Sequence, residues 1–333
     1  MKEKCLIIAE AGVNHNGDIN IAKKLCLEAK EAGADVVKFQ TWVTEKIITP
    51  KVKQADYQAE NTGNTQSQFD MLKALELSYD EFREIKGYCD EIGIVFASTA
   101  DEPDSLDFLV DLGIPFIKIG SGEIGNIPYL RYMGTKKMPV ILSTGMSSLG
   151  DVELSIKALR DGGATDITLL HCTTSYPCPY NDVNLKAMDT LESAFGTAVG
   201  FSDHTEGIEA AIAAVARGAR VIEKHFTLDR NMEGPDHKAS TEPDEFKTMV
   251  NAIRNVEVAL GNGIKSPTAA EREISKVVLK RIVARKDVAQ GQVIHEEDIC
   301  VKRNDVGLPA NAWDMVLGRK ANKNYQKDEG IEL

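Results

Sequence analysis

Residues 198–240 read AVGFSDHTEGIEAAIAAVARGARVIEKHFTLDRNMEGPDHKAS. An apolar run at Ala198, Val199 and Phe201 ends in Ser202-Asp203-His204. An Ala-rich segment with helical spacing follows, and a second apolar run, Val221-Ile222, ends in Glu223-Lys224-His225. The order is strand, helix, strand, with polar groups gathered at both strand ends. In a parallel β/α arrangement the carboxyl ends of neighbouring strands lie on one face, so His204 and His225 project into one pocket about 4.8 Å apart at the backbone. Two imidazoles that close can share a divalent cation. A single strand-end histidine is more often a hydrogen-bonded structural residue, and two do not complete a zinc site, which needs three protein ligands. A two-histidine site with open positions suits Mn²⁺ or a similar ion that takes its remaining ligands from substrate and water.

The same unit recurs from the start of the chain. Cys5–Ala9 is an apolar run closing on Glu10, followed by Asn14-His15-Asn16-Gly17 and a helical pattern from Ile19 to Ala32 that stops at Gly33. Further runs span Asp35–Gln40, Ile94–Thr99, Phe116–Glu123, Val140–Gly145 and Ile167–Cys172. A polar insertion, Trp42 to Gln68, precedes a charged helical segment at Tyr79–Glu91, and helical patterns also fill Asp104–Leu112 and Val152–Gly162. With the opening stretch this gives eight βα units in about 260 residues, the requirement of a TIM (β/α)8 barrel and more than a doubly wound sheet usually takes. The barrel is expected over residues 1–263, with a linker over 264–279 opened by Lys265-Ser266-Pro267. From 280 to 333 short runs split by Gly, Asp and Pro read as a small β-rich domain, too small to be comfortable alone.

A chain of 333 residues with 43% hydrophobic and 27% charged content is ordinary for a soluble globular protein. The net charge of −12 argues against a nucleic-acid or membrane-surface binder, so an anionic ligand has to be held by a local cluster of lysines and amides. Met1-Lys2-Glu3-Lys4 leads straight into a strand-like run without a signal-peptide pattern, which makes a cytoplasmic protein the expectation. The cysteines, Cys5, Cys26, Cys89, Cys172, Cys178 and Cys300, lack CxxC spacing and fit reduced thiols without a catalytic role.

In a TIM barrel the polar residues at strand carboxyl ends are the active-site candidates. Here they include Glu10, Lys38, Gln40, Thr99, Lys118, Ser121, Glu123, Ser143, Thr144, His171, Ser202, Asp203, His204, Glu223 and His225. A lysine inside a strand is usually ion-paired, and Glu10 or Glu123 is an available partner. Two lysines converging with the Gly120, Ser121 and Gly122 amides instead describe a phosphate pocket, with a Schiff-base lysine as the rival use. Glu10 and Glu123 serve either as their salt-bridge partners or as acceptors for a polyol. Thr173-Thr174-Ser175-Tyr176-Pro177 and Gly234-Pro235-Asp236-His237 read as plain loops or as substrate contacts.

The segments IAEAGVNHNGD, VVKFQT, IKIGSGE, LSTGM, LLHCTTSYP, GFSDHT, IEKHFTLD and EGPDHKAS, in this order, closely resemble the sialic acid synthases of bacteria. The C-terminal VARKDVAQGQVIHEEDICVKR resembles that family's antifreeze-like (SAF) domain. The resemblance implies a transferase that condenses phosphoenolpyruvate with an N-acylated mannosamine-type sugar. It implies that His204 and His225 bind a divalent metal, Mn²⁺ first, with Mg²⁺ or Co²⁺ as alternatives. Phosphoenolpyruvate falls to Lys38, Lys118, Ser121, Tyr176 and Ser202, with the hydroxyls of Thr99, Ser143 and Thr174. The sugar falls to Gln40, Asp236, Glu10 and Glu123, and one of those two glutamates handles the water. A domain-swapped homodimer is also implied, with Arg303 reaching the partner's acyl-sugar.

Three departures stand out. Ser98-Thr99-Ala100-Asp101-Glu102 occupies a place where relatives commonly read Ser-Thr-Pro-Phe, Thr174 one where some carry Asn, and Asn304-Asp305-Val306 one where Pro-Gly-Asn often follows the arginine. For the product, N-acetylneuraminate from N-acetylmannosamine is expected first. N,N'-diacetyllegionaminate from 2,4-diacetamido-2,4,6-trideoxymannose is second, with pseudaminate behind both. A pyruvate aldolase and a non-catalytic sugar-binding barrel are the rivals from outside the family.

Overall fold

The computed structural model describes residues 4–52 and 67–332. Eight parallel strands close into a barrel in sequence order: β1 (Leu6–Gly12), β2 (Val36–Thr41), β3 (Val95–Ala100), β4 (Ile117–Ile119), β5 (Val140–Ser143), β6 (Ile167–Cys172), β7 (Ala198–Asp203) and β8 (Val221–His225). β8 pairs back onto β1. One main helix follows each strand, from Ile19–Glu31 after β1 to Pro243–Ala259 after β8. Sequence-local signals start several of them: Ser78 with Glu81 and Ser148 with Asp151 form reciprocal capping boxes. This is the TIM barrel expected from the repeating βα pattern.

Side chains alternate along a strand, so residues two apart share the barrel interior. Ile8, Val36, Ala97, Phe116, Ile141, Leu170 and Val221 pack together as an apolar floor. β7 contributes Gly200 at this level, because a Cβ there would lie 2.4 Å from the Val221 carbonyl oxygen and 2.6 Å from Leu170 Cδ2. Two residues further along every strand the chemistry changes, and the inward positions become Glu10, Lys38, Thr99, Lys118, Ser143, Cys172, Ser202 and Glu223. The outward set, including Ile7, Val37, Phe39, Phe96, Leu142, Leu169, Phe201 and Ile222, packs against the helices and forms the main core.

Three expectations shift. The run expected to extend to Glu123 leaves the strand at Ile119, and Ser121–Glu123 forms a 3-10 turn after Gly120. The insertion after Trp42 carries short helices at Thr44–Ile47 and Gln68–Leu75, while its residues 53–66 lie outside the described residues. The segment expected as a linker contains the helix Ala269–Val278. Its start is set by a capping box in which Thr268 Oγ1 accepts from the Glu271 N–H and Glu271 reaches back to the Thr268 N–H.

The chain divides into two compact units, Met1–Gly261 and Asn262–Leu333. In the second, β9 (Lys280–Ala284) pairs antiparallel with β10 (Ile299–Arg303), and Ile282, Val288, Ile294, Ile299, Val316, Tyr325 and Ile331 supply a core of its own. The run Gly291–Ile294 contributes an isolated bridge, Val293 to Lys320, instead of a strand. None of the described helices is long and apolar enough to cross a membrane.

Candidate active site

A cavity of about 270 Å³ opens at the carboxyl ends of the barrel strands, and all eight inward residues above the floor line it. At its base lie two lysines and two carboxylates. Lys38 Nζ is 2.5 Å from Glu10 Oε2, donates to Thr99 Oγ1 at 2.9 Å and lies 3.8 Å from Glu223 Oε2. Lys118 Nζ donates to Ser143 Oγ at 2.8 Å and to the Ile119 carbonyl at 3.0 Å, and lies 3.4 Å from Glu223 Oε1. Ser202 Oγ donates to Glu223 Oε1 at 3.1 Å.

All four charges are buried, and their environments separate them. Burial raises the Glu10 carboxyl despite the pull of Lys38. For Glu223 burial pushes the same way, but Lys118 and Lys38 outweigh it and hold the carboxyl low. Burial lowers the Lys118 ammonium, whereas Glu10 and Glu223 outweigh it at Lys38 and raise that ammonium. The cluster is neutral as it stands. An arriving phosphate or carboxylate would find two cations already desolvated and held by hydroxyls that can be re-partnered.

Beside the lysines Ser121 Oγ accepts from the Gly145 N–H at 2.9 Å. Gly145 is needed there, since a Cβ would fall 2.2 Å from Thr174 Oγ1 and 2.8 Å from Ser121 Oγ. The Thr174 hydroxyl is buried without a hydrogen-bond partner among the described residues. A hydroxyl in that state fits an anionic oxygen.

Above the lysine level the rings of His204 and His225 lie 5.4 Å apart between centroids, with the Tyr176 ring 4.3 Å and 5.5 Å from them. His204 Nδ1 is 2.7 Å from the Thr173 carbonyl oxygen, so it carries the proton and leaves the Nε2 lone pair for the cavity. Burial lowers both imidazoles, His225 to about 3, with His204 adding to the effect. Both rings are therefore neutral at pH 7, the form in which imidazole binds a metal. Among the described residues no group of three or more His, Cys, Asp or Glu gathers as a metal cage. The donor set thus fits a cation that takes two imidazoles from the protein and further ligands from substrate and water. Asp236 Oδ2 stands 3.7 Å from His225 Nδ1, and burial pushes its carboxyl up to about 6.

Of the residues named from the sequence, Glu10, Lys38, Gln40, Thr99, Lys118, Ser121, Ser143, Thr174, Tyr176, Ser202, His204, His225 and Asp236 line this one cavity. Glu123 does not. The chain has left β4 before reaching it, and its Oε2 accepts from Asn126 Nδ2 at 2.6 Å. Arg303 lies in the second unit, exposed on β10. His171 and Asp203 fall on the outward side of their strands: His171 Nε2 is 2.6 Å from the Val183 carbonyl oxygen, and Asp203 pairs with Lys224. The cavity also contains Asp101, Cys172 and the apolar Val13, Met71, Leu72 and Leu75, which were not singled out as site residues. Counting by twos along β3 from Ala97 reaches Thr99 and then Asp101, so the signal for Asp101 was present.

The NeuB family model matches residues 25–265, and the SAF domain model matches residues 281–332. The chain is 48% identical to the N,N'-diacetyllegionaminic acid synthase of Campylobacter jejuni, covering 99% of each chain. It is 44% identical to the N,N'-diacetyllegionaminic acid synthase of Legionella pneumophila, over 96% of this chain and 91% of that one. Among solved structures, the N-acetylneuraminic acid (sialic acid) synthetase of Leptospira borgpetersenii superposes with a TM-score of 0.71 at 34% identity, over 82% of this chain and 90% of that chain.

Proposed function

The chain belongs to the NeuB family of sialic acid synthases, and on that premise we propose that it condenses phosphoenolpyruvate with 2,4-diacetamido-2,4,6-trideoxymannose to give N,N'-diacetyllegionaminate and phosphate. The observation that carries the chemistry is the layering of the cavity. Two desolvated lysines lie at its base and two neutral imidazoles at its mouth, all projecting from one ring of strand ends. The identity of the sugar rests on the names of the relatives at 48% and 44% identity, set against a sialic acid synthetase at 34%. This reverses the order of the two products expected from the sequence.

In this reading Lys38 and Lys118 hold the phosphate and carboxylate of phosphoenolpyruvate, with Ser121, Ser143, Thr174 and Ser202 supplying hydroxyl partners. Binding exchanges part of the pairing to Glu10 and Glu223 for pairing to the substrate. His204 and His225 would hold the divalent cation, whose chemistry when bound is to polarise the acceptor's aldehyde. Carbon C3 of the enol forms the new bond to the aldehyde carbon, and the aldehyde oxygen takes up a proton. Water adds at C2 and loses a proton, after which the C2–O bond to phosphate breaks. Glu10 is the carboxylate for the water's proton, because it lines the cavity beside Lys38 while Glu123 does not.

The test is phosphate release from phosphoenolpyruvate by EDTA-stripped, Mn²⁺-reloaded protein, with 2,4-diacetamido-2,4,6-trideoxymannose and N-acetylmannosamine side by side. Release with the diacetamido sugar, lost on stripping, is the expected result. Release with N-acetylmannosamine alone would return the product to N-acetylneuraminate. Phosphate release independent of any sugar would overturn the synthase reading.

A further inference from the structure

Asp101 is a carboxylate of the cavity that has no task in the reaction above. Asp101 stands at the carboxyl end of β3, third in the inward series Ala97, Thr99, Asp101, and lines the cavity. Its backbone N–H donates to the Thr41 carbonyl at 3.2 Å, but its side chain makes no hydrogen bond or ion pair of its own among the described residues. Burial and the neighbouring Glu123 push its carboxyl up to about 7 against the pull of Lys38, and the half-buried carboxylate faces the cavity with no donor among the described residues.

The wall next to it is apolar. Val13, Trp42, Met71 and Leu75 pack as one buried cluster with Leu72 against it, and Trp42 directly follows the Thr41 that bonds Asp101. Val13, Met71, Leu72 and Leu75 face the same cavity as Asp101. A carboxylate beside a patch of methyl and methylene groups matches a secondary amide that ends in a methyl group. The N–H needs an acceptor, and the methyl needs an apolar seat.

The place of this feature in the ring narrows it further. β3 is four strands from β7 in a closed barrel of eight and so lies opposite it, whereas the imidazole pair sits on β7 and β8. A sugar whose aldehyde carbon is near the imidazoles presents its remote carbons to β3.

We propose that Asp101, with Met71, Leu72 and Leu75, is the subsite for the acceptor's remote N-acetyl group, the carboxylate accepting the amide N–H and the apolar wall receiving the methyl. This rests on the functional reading above and makes Asp101 a specificity-determining residue of the same reaction.

The test compares full-length, Mn²⁺-loaded wild type with Asp101→Asn and Leu72→Ala, assaying both sugars and measuring separate KM values for sugar and phosphoenolpyruvate. Asp101→Asn, which keeps an acceptor oxygen but removes its charge, is expected to raise the KM of the diacetamido sugar about threefold or more. The KM for phosphoenolpyruvate should stay within about twofold, which a general disturbance of the cavity would not allow. Leu72→Ala is expected to cut the preference for the diacetamido sugar over N-acetylmannosamine by about threefold or more, as apolar contact with the methyl is lost. If wild type uses the diacetamido sugar but Asp101→Asn leaves its KM unchanged, or raises both substrates' KM together, the subsite is overturned and the functional reading stands. A wild type active only with N-acetylmannosamine overturns both.

Discussion

Two buried lysine–carboxylate systems lie back to back on β8, one residue apart. Lys224 faces outward and donates to Asp203 Oδ2 and to the Thr205 carbonyl, each at 2.8 Å, while Asp203 Oδ1 accepts from the Thr205 N–H at 2.9 Å and its hydroxyl at 2.8 Å. Every partner is local, and neither charge lines the cavity. Glu223 faces inward, where its oxygens lie 3.4 Å from Lys118 and 3.8 Å from Lys38, and both lysines also donate to hydroxyls. Residue types and burial are alike in the two systems, and completeness of pairing differs. A closed set of bonds fixes β7 to β8 just before both histidines, whereas a set stretched between several partners around a cavity is arranged for a charge still to come.

The largest expected effect lies on the inward side. His225→Ala should lower turnover by about a thousandfold or more, the scale of losing cation-assisted carbonyl activation together with its positioning. Its far-UV circular dichroism and melting temperature should match wild type, since the ring faces the cavity, its one ion-pair contact is the 3.7 Å approach to Asp236, and its protonated form is disfavoured. Phosphate-release kinetics with both substrates checks this, and near wild-type turnover would remove His225 from the chemistry. On the outward side the pattern should invert. Lys224→Met leaves Asp203 charged and buried without its cation and should cost about 3–5 kcal/mol of stability in urea unfolding. Turnover per folded molecule should fall by no more than about tenfold, a loss confined to the positioning of His204. A variant that is stable but inactive would place Lys224 in the chemistry and dissolve the distinction between the two sides.

The barrel was legible because its signals are local and repeated. Apolar runs ending in polar residues recur with helical segments between them, and neither needs knowledge of distant contacts. Most of the site was legible for the same reason, since residues such as Lys38, Lys118, His204 and His225 sit inside those runs. What the runs do not display is parity. His171 and Asp203 looked like site residues because they end strands, but period two turns them outward. Asp101 looked like the start of a loop although period two brings it in. Glu123 is a different case: β4 spans only Ile117–Ile119, and past it no alternation governs where a side chain points, so it lies outside the lining of this cavity. The Met71–Leu75 wall arrives from the insertion after β2, a tertiary placement that no strand register announces.

Parity also yields the smallest and most discriminating effect, because a residue kept for binding need not contribute to stability. The Asp101 carboxyl titrates near 3.9 in an unfolded chain and at about 7 in the fold. Between those values the folded protein holds a proton that the unfolded chain releases, so this residue's contribution falls as pH rises through the window and is lowest above it. Asn carries no such charge. Ligand-free Asp101→Asn should therefore equal wild type near pH 4 and exceed it near pH 8 by on the order of 1 kcal/mol, a figure already reduced for water in the open cavity. Urea unfolding at the two pH values measures the difference. An advantage present at pH 4, or absent at pH 8, would mean that Asp101 is satisfied within the fold, as Asp203 is. The expected divergence with pH would set it with Glu10, as a carboxyl whose ionisation the fold resists and a ligand's donor relieves.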